Sequence, residues 1–416
     1  MGKQRKKTIL IDVIDLETSR EAAFTRLLEL ESLVETYGSI VVLKTIQKRA
    51  LPNYKTYIGS GKLKDIIEEA KENGADLIVI NNILKSRQIF NIEEQCREAG
   101  LKDVKVWDRV DLILKIFAKH AKSTEAKLQI ELASIRHMGP RIFNMGIELM
   151  QQAGGIGIRG GQGETNVELM KRHLKKQELT IMKKLEHYEN IHKGHRDRRR
   201  RQNFKTFALV GYTNAGKSSL LNALTRKGAY VADQLFATLD TRIGKLYLPN
   251  PKKEVLLSDT IGFIQDLPPG LIKAFKSTLA EAIDSDVIFH VIDVTDPQIY
   301  MKIDVVEDIL EQLELHEKPK IYVFNKTDLM KKYDLPGEEF DPENRKNYPG
   351  ILKAGKDTAA LLGWKEVEEI ELELAKKSIH DPLKLKRKYR KFNPVFVSAH
   401  KKTNFKDLLK EMEKHL

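Results

Sequence analysis

The sequence contains one cysteine, two tryptophans and no apolar run as long as a membrane-spanning helix. The single Cys96 excludes an intramolecular disulfide and any cysteine-based zinc cluster. The aromatic residues form no stripe on which nucleic-acid bases could stack. Asp12 and Asp15 interrupt the first apolar stretch, which therefore does not fit a secretory signal. We expect a cytoplasmic, monomeric protein without stable membrane insertion.

Positive charge is in excess. Lysine and arginine number 72 against 59 aspartates and glutamates, a net charge of +13. An excess of this size fits a polyanionic partner, most simply an RNA, and we do not expect DNA binding. A chain of 416 residues is too long to fold around one ordinary hydrophobic core, so about two or three domains are expected.

Residues 1–115 predict a small N-terminal α/β domain with a largely parallel sheet, because apolar strands alternate with helical patterns. The predicted strands are Thr8–Ile14, Ser39–Lys44 and Ala75–Ile80, and the predicted helices are Arg20–Tyr37, Gly61–Asn73 and Ser86–Ala99.

Residues 116–203 predict a long helical hairpin with a glycine-rich loop and a basic linker. Apolar residues recur at helical spacing from Val110 to Leu149, and a second helical pattern runs from about Thr165 to His192. The glycines of Ala153–Gly163 exclude a helix there and predict the connecting loop. We interpret His192–Arg201 as the linker; its arginines fit a solvated surface and a phosphate contact equally well.

Residues 204–416 predict a doubly wound, mostly parallel α/β domain. Its first strand begins near Phe204, and the later strands are predicted at Lys245–Leu248, Glu254–Ser258, Val287–Asp293, Lys320–Asn325 and Val395–Ser398. About 70 residues separate the last two strands, more than one crossover requires. We therefore predict an insertion at about 331–393, partly helical and partly loop.

A phosphate-binding loop is predicted at the start of this domain. The pattern G-x-x-x-x-G-K-S lies between an apolar strand and a helix, as such a loop requires. Backbone N–H groups and the helix N-terminus would surround the α- and β-phosphates. Lys217 would reach the β- and γ-phosphates, and the Ser218 hydroxyl would take one Mg²⁺ position. The residues assigned to this loop are Gly211, Tyr212, Thr213, Asn214, Ala215, Gly216, Lys217, Ser218 and Ser219.

A D-x-x-G element, Asp259-Thr260-Ile261-Gly262, follows another apolar strand. Asp259 is expected to hold Mg²⁺ through water, and the Gly262 N–H to contact the γ-phosphate until hydrolysis releases it. The pattern is common by itself, and its position behind the phosphate loop is what favours this role.

Thr238 lies between these two elements and is the candidate switch threonine. Its hydroxyl would reach Mg²⁺ and its carbonyl the attacking water, with Thr241 as the competing assignment. The predicted catalytic set is Lys217, Thr238 and Gly262, and the predicted magnesium set is Ser218, Thr238 and Asp259. The nucleotide-contacting switch residues are Phe236, Ala237, Thr238, Leu239 and Asp240.

The base is predicted from Asn325-Lys326-Thr327-Asp328, which ends a further apolar strand. The Asp328 carboxylate can accept from guanine N1–H and the N2 amine, whereas adenine would leave it unpaired at a cost of about 10⁴ in discrimination. Asn325 would contact the other edge of the base and Lys326 its plane. Ser398-Ala399-His400 would direct a backbone N–H at guanine O6. GTP and GDP are therefore the expected ligands.

Phe263 follows Gly262, where many GTPases carry the glutamine that orients water. A phenyl ring cannot do this. Another residue, the backbone or a partner must then position the water. We expect slow intrinsic hydrolysis that a partner accelerates.

Two other glycine patterns are disfavoured as nucleotide sites. Gly155–Gly160 satisfies G-x-G-x-x-G, but no strand precedes it. Gly59-Ser60-Gly61-Lys62 imitates the end of a phosphate loop, yet Thr56 and Leu63 stand where a glycine and a Ser or Thr belong.

Beyond these motifs the chain resembles the HflX family of translation-associated GTPases, in the Obg-like branch. The similarity includes Tyr57–Leu63, Val106–Arg109, Ala126–Ala133 and the glycine-rich loop at Gly154–Thr165. It covers roughly residues 8–330 and 394–416. Asn166–Arg172 and the insertion depart from the family pattern.

The resemblance implies a GTPase that binds the large ribosomal subunit and its RNA, splits or rescues stalled or stressed ribosomes, and is activated by the ribosome. Some family members are also thought to bind ATP through the N-terminal region. The alternative is a GTP-controlled RNA- or protein-binding switch that acts away from the ribosome. A GTP-using kinase or synthetase is disfavoured because nothing resembles a site for a second substrate.

Overall fold

The computed structural model describes residues 5–137, 162–202, 204–225, 242–250, 252–260, 262–265, 271, 280–330 and 380–416. These form two compact units, each with its own sheet. The division of the chain into three domains stays a prediction. None of the described helices is long and apolar enough to cross a membrane.

The first sheet has four parallel strands in the order β2-β1-β3-β4. Its elements are β1 (Lys7–Ile14), α1 (Arg20–Tyr37), β2 (Ile40–Lys48), α2 (Ser60–Asn73), β3 (Leu77–Ile80), α3 (Ser86–Glu98), β4 (Lys105–Asp108) and α4 (Arg109–His120). The strands are apolar because helices cover them; all four residues of β3 are buried. The predicted alternating α/β domain is confirmed: the helix Arg20–Tyr37 has the predicted bounds, and no predicted boundary is more than four residues from the observed one.

The hairpin helices differ from the prediction in two places. The stretch from Val110 is not continuous, since α4 ends at His120 and the next helix, α5, covers residues 124–137. Ser123 explains the restart, because its Oγ accepts from the Ala126 N–H at 3.1 Å, as an N-cap does. Residues 138–161, with the glycine-rich loop up to Gly161, lie outside the described residues.

The second difference concerns the basic stretch. The helix α6 spans Gln162–Arg201, so the predicted linker at His192–Arg201 is its last ten residues. Long unbranched arginine side chains lose little freedom in a helix and stay solvated outside it, so a charge run need not end one. The helices pack through a small apolar cluster of Leu128, Leu132 and Ile181.

The second sheet has six strands in the order β10-β9-β8-β5-β7-β6. All neighbours are parallel except β6, which runs antiparallel to β7. Its elements are β5 (Lys205–Val210), α7 (Lys217–Thr225), β6 (Arg242–Leu248), β7 (Lys253–Asp259), α8 (Ala280–Asp284), β8 (Val287–Asp293), α9 (Ile299–Gln312), β9 (Lys320–Asn325), α10 (Thr327–Met330), α11 (Pro382–Lys388), β10 (Val395–Phe396) and α12 (Phe405–Glu413). This confirms the doubly wound α/β fold.

The end of the predicted insertion is described and is helical. After α11 a 3₁₀ turn at Arg390–Phe392 brings the Phe392 ring onto Tyr322, with centroids 4.3 Å apart and planes 5° from parallel. Leu385 and Tyr389 are buried in the same cluster. Residues 331–379 lie outside the described residues.

Candidate nucleotide-binding site

The phosphate loop joins β5 to α7 at the carboxyl end of the sheet. Two glycines are required by the backbone and its neighbours. Gly216 has φ +90°, and a Cβ there would lie 2.2 Å from Asn325 Nδ2; Gly211 has φ +150°, and its Cβ would lie 2.2 Å from the Val291 carbonyl oxygen. Asn214 adopts the left-handed region at φ 62°, which asparagine tolerates. The glycine positions of the pattern are therefore steric requirements.

Lys217 is buried, with 6% of its surface exposed. Its Nζ donates to the carbonyl oxygens of Gly211 and Tyr212 at 3.0 and 2.8 Å. Burial lowers the pKa of the Lys217 ammonium to about 8, although the charge of Asp259 opposes this. A buried cation inside a loop of N–H donors is an arrangement suited to phosphate oxygens.

Ser218 and Asp259 meet beside the loop. The Ser218 hydroxyl donates to Asp259 Oδ2 at 2.6 Å, and Asp259 is fully buried at the end of β7. One hydroxyl and one carboxylate oxygen at this distance form a donor set of the kind Mg²⁺ prefers. Thr260, next in the chain, is held by a hydrogen bond from its Oγ1 to the Leu209 carbonyl at 2.7 Å.

The segment after Asp259 lies directly on the phosphate loop. The Phe263 N–H donates to the Gly211 carbonyl at 3.1 Å, and its carbonyl accepts from the Thr213 N–H at 2.8 Å. The Phe263 side chain is buried, so no side chain at this position reaches solvent as a water-orienting glutamine would. The Tyr212 hydroxyl accepts from the Gln265 N–H at 2.8 Å. Ile261 lies outside the described residues.

The base-recognition motifs come together at the carboxyl ends of β9 and β10. The Asn325 side chain donates to the Ala215 carbonyl at 3.0 Å and accepts from the Ala399 N–H at 2.9 Å. It therefore links the phosphate loop to the Ser398–His400 loop. Ser398 in turn donates to Asp328 Oδ1 at 2.6 Å. This bond orients the carboxylate that was predicted to recognise guanine.

Two charged residues near the site were not predicted. Asp293, at the end of β8, lies 2.7 Å from Lys326 Nζ and so positions the lysine assigned to the plane of the base. Lys302 on α9 lies 4.8 Å from the centre of the Tyr212 ring. The end of a central parallel strand could have indicated Asp293; nothing in the sequence indicates Lys302.

Phe236, Ala237, Thr238, Leu239 and Asp240, and the competing Thr241, all lie outside the described residues. Lys217, Ser218, Asp259 and Gly262 do come together, as do Asn325, Asp328, Ser398 and Ala399. The side chain of His400 is 80% exposed, with Nδ1 3.9 Å from Asp328 Oδ2.

Comparisons with known proteins identify the family. Three family models match in order: "GTP-binding GTPase N-terminal" over residues 25–118, "GTP-binding GTPase Middle Region" over 120–199, and "50S ribosome-binding GTPase" over 206–326. The GTPase HflX of Caldanaerobacter subterraneus is 43% identical over 330 residues, 79% of this chain and 74% of that protein. The chain belongs to the HflX family of GTPases.

HflX of Escherichia coli is 39% identical over 319 residues, 77% of this chain and 73% of that protein. A GTP-binding protein of Sulfolobus solfataricus, solved with GDP, is 26% identical with a TM-score of 0.43, and the similarity covers 99% of this chain and 98% of that one. The activity of the HflX family is GTP hydrolysis, and this chain is a GTPase.

Proposed function

We propose that this HflX GTPase associates with the large ribosomal subunit and splits or rescues stalled or stressed ribosomes in the cytoplasm. The description of the matched family model, a 50S ribosome-binding GTPase, supports this partner. The one observation of this chain that carries the proposal is the charge of α6.

The helix α6 concentrates the basic charge of the protein. Its 40 residues include twelve lysines and arginines against six aspartates and glutamates, almost half of the net charge of the whole chain. Lys183, Lys184, Lys193 and Arg198 are exposed. An exposed basic helix of this length fits contacts with the phosphates of a folded RNA. Such contacts do not depend on the nucleotide sequence, and they weaken as the salt concentration rises.

In the nucleotide site, we propose that the phosphate loop and Lys217 bind the phosphates and that Asp328 selects guanine. Ser218, Asp259 and Thr238 would hold Mg²⁺, which supplies charge neutralisation to the phosphates when bound. Ser218 and Asp259 fit this role because the Ser218 hydroxyl and an Asp259 carboxylate oxygen already lie 2.6 Å apart, and Mg²⁺ prefers oxygen ligands. Lys217 would stabilise charge on the transferred group, and the Gly262 N–H would contact the γ-phosphate.

Hydrolysis is expected to be slow in the isolated protein and faster on the ribosome. Phe263 is held by two backbone hydrogen bonds to the phosphate loop, and its side chain is buried. Its phenyl ring has no group that could orient water, so another residue, the backbone or a partner must do this, and we propose that the partner does. This is a reason for a GTPase to be inactive until it reaches its target.

The test is GTP turnover with and without purified large ribosomal subunits, together with co-sedimentation. We expect stimulation of about tenfold or more, since correct placement of one water-orienting donor contributes at least that much. The variant R198Q/R201Q should weaken co-sedimentation and reduce its salt dependence. Exposed Lys252 and Lys253, in the turn before β7 and at its first residue, provide a matched control as K252Q/K253Q.

Absence of stimulation and of co-sedimentation would contradict the ribosomal role. Tight binding to another RNA or protein would then favour the alternative of a GTP-controlled switch that acts elsewhere. Fast turnover in the pure protein would contradict the dependence on a partner while leaving the GTPase activity in place.

A further inference from the structure

A dense cluster of positive charge lies at the end of the insertion, on α11 and the 3₁₀ turn that follows it. Six of the eight residues 384–391 are lysine or arginine, and no aspartate or glutamate occurs between Asp381 and Asp407. All six side chains are exposed. They are named here the α11 cluster: Lys384, Lys386, Arg387, Lys388, Arg390 and Lys391. The family model matched by this unit ends at residue 326, so its description does not cover the cluster.

The segment that carries the cluster is fixed to the core of the second unit by its apolar side chains. Leu385 and Tyr389 are 1% and 8% exposed, and the Phe392 ring stacks on that of Tyr322. Asp381 caps the helix, because its Oδ1 accepts from the Leu383 N–H at 2.8 Å. The six cations therefore project from an anchored backbone.

The charges of the α11 cluster are not neutralised within the fold. Elsewhere in the second unit lysines pair with carboxylates, as Lys414 does with Glu411 at 2.6 Å. None of the six cations forms an ion pair with another described residue. Lys384 and Lys388 are four positions apart on one helix, a spacing at which like charges repel and destabilise the helix. The cluster thus weakens its own helix, and it fits a partner that carries many negative charges.

We propose that the α11 cluster binds phosphates of a folded RNA and is an RNA contact additional to α6. Eight residues at about 1.5 Å each extend roughly 12 Å, which is enough to reach more than one phosphate. A membrane surface does not fit, because Leu385, Tyr389 and Phe392 face the core and leave no apolar face to enter lipid. That the RNA belongs to the large ribosomal subunit rests on the proposed function, whereas the binding of RNA does not.

Removal of two of these charges tests the proposal. K384Q/K388Q removes two lysines four positions apart, and K406Q/K410Q removes two exposed lysines at the same spacing from α12. Binding of the full chain to purified large ribosomal subunits, and to the RNA of those subunits freed of protein, is measured at several KCl concentrations. At about 0.1 M salt K384Q/K388Q should bind both probes about 10- to 50-fold more weakly, and its slope of log affinity against log salt should be smaller by about 1.5. K406Q/K410Q should change the affinity by less than about twofold.

Unchanged affinity and slope in K384Q/K388Q would overturn the proposal. Equal losses in the two variants would do so as well, because they would indicate an effect of net charge alone. A loss on the subunits but not on the free RNA would also overturn it, since an acidic protein would then be the partner. If the unchanged protein did not bind the subunits, the ribosomal role would fail, and the free RNA would still decide whether the cluster binds RNA.

Two measurements separate a loss of binding from a loss of folding. GDP affinity and the free energy of unfolding should be the same in K384Q/K388Q and K406Q/K410Q within experimental error. Lys388 Nζ lies 3.9 Å from the centre of the Tyr300 ring, so its removal could disturb α11. In that case K386Q/R390Q, which keeps this contact, makes the same comparison with the same expected losses.

Discussion

Two loops in this protein contain a glycine followed by a lysine at the start of a helix, each at the carboxyl edge of a parallel sheet. Gly216-Lys217 begins α7, and Gly61-Lys62 lies in the first turn of α2. The first forms a phosphate loop. In the second, the Gly59 N–H donates to Gln47 Oε1 at 2.8 Å, and a Cβ on Gly59 would lie 2.4 Å from Arg49 Nη1. The Gly59 N–H is therefore already bonded to a side chain of the protein.

The residue after each lysine shows the same contrast. Ser218 points its hydroxyl at Asp259, whereas Leu63 is fully buried in the core of the first unit. Lys217 is buried against two carbonyl oxygens, while Lys62 is partly exposed. A short glycine and lysine pattern therefore defines a nucleotide site only when the backbone donors around it are left for the ligand.

The largest expected effect distinguishes the two lysines. K217A should lower GTP hydrolysis by about 10²–10³-fold, because a buried cation directed at the phosphates contributes a few kcal/mol. K62A should change it by less than about twofold. Turnover at saturating GTP measures both. Equal losses in the two variants would mean that the loops share a function.

Substitution of Gly216 and of Gly61 by alanine should have effects that differ in sign as well as in size. G216A should weaken GDP binding by about tenfold or more, since its φ is +90° and the new Cβ would meet the Asn325 amide at 2.2 Å. G61A has nothing within 4 Å and lies inside α2, so we expect it to raise stability by about 0.5–1 kcal/mol. Calorimetric binding and chemical unfolding measure the two effects. A G216A protein that binds GDP normally would contradict the steric argument.

Restoring the pattern in the first unit should not create a site. L63S supplies the missing hydroxyl but removes a fully buried side chain, at a cost of about 2–5 kcal/mol in unfolding free energy. The truncation L63A controls for the loss of packing alone. Nucleotide binding gained in L63S, but not in L63A, would show that the position after the lysine decides more than the backbone does.

A smaller effect concerns Glu307 on α9, whose carboxylate stabilises the fold of the second unit. Burial raises the pKa of Glu307, but hydrogen bonds and charges from His290, Lys320 and Tyr322 outweigh it and lower the pKa to about 2. The ionised form therefore stabilises the fold above about pH 4.5, and this contribution is lost as pH falls from 4.5 towards 2.

E307Q should accordingly cost about 1–3 kcal/mol at pH 7, with the deficit shrinking below pH 4.5. Unfolding curves at several pH values measure this, and E311Q, at an exposed position on the same helix, is the control. A deficit independent of pH would contradict the role of the carboxylate charge.

The order of strands and helices in both units, the phosphate loop and the base motif all follow from local patterns. These features can be predicted from short stretches of sequence, because each depends on the backbone geometry and the burial of a single element. The signals are apolar runs, the positions of glycines, and polar side chains at the ends of strands. The two long helical stretches were also predicted, but with different boundaries from those observed. The new helix after Ser123 depends on a side-chain cap, and the helix at His192–Arg201 depends on the solvation of its arginines. In both places the free-energy difference between a helix and a loop is small, so the sequence pattern does not decide between them.

What the sequence by itself determined is the chemistry available: a lysine, a serine hydroxyl and an aspartate suited to Mg²⁺, and a carboxylate that we propose selects guanine. The tertiary structure decided which of these residues act together, because residues far apart in the chain meet only at the carboxyl ends of neighbouring strands. Asn325 between Ala215 and Ala399, and Asp293 beside Lys326, are contacts of this kind. It also separated two similar glycine and lysine loops, since Gln47 on β2 accepts the Gly59 N–H of the second one.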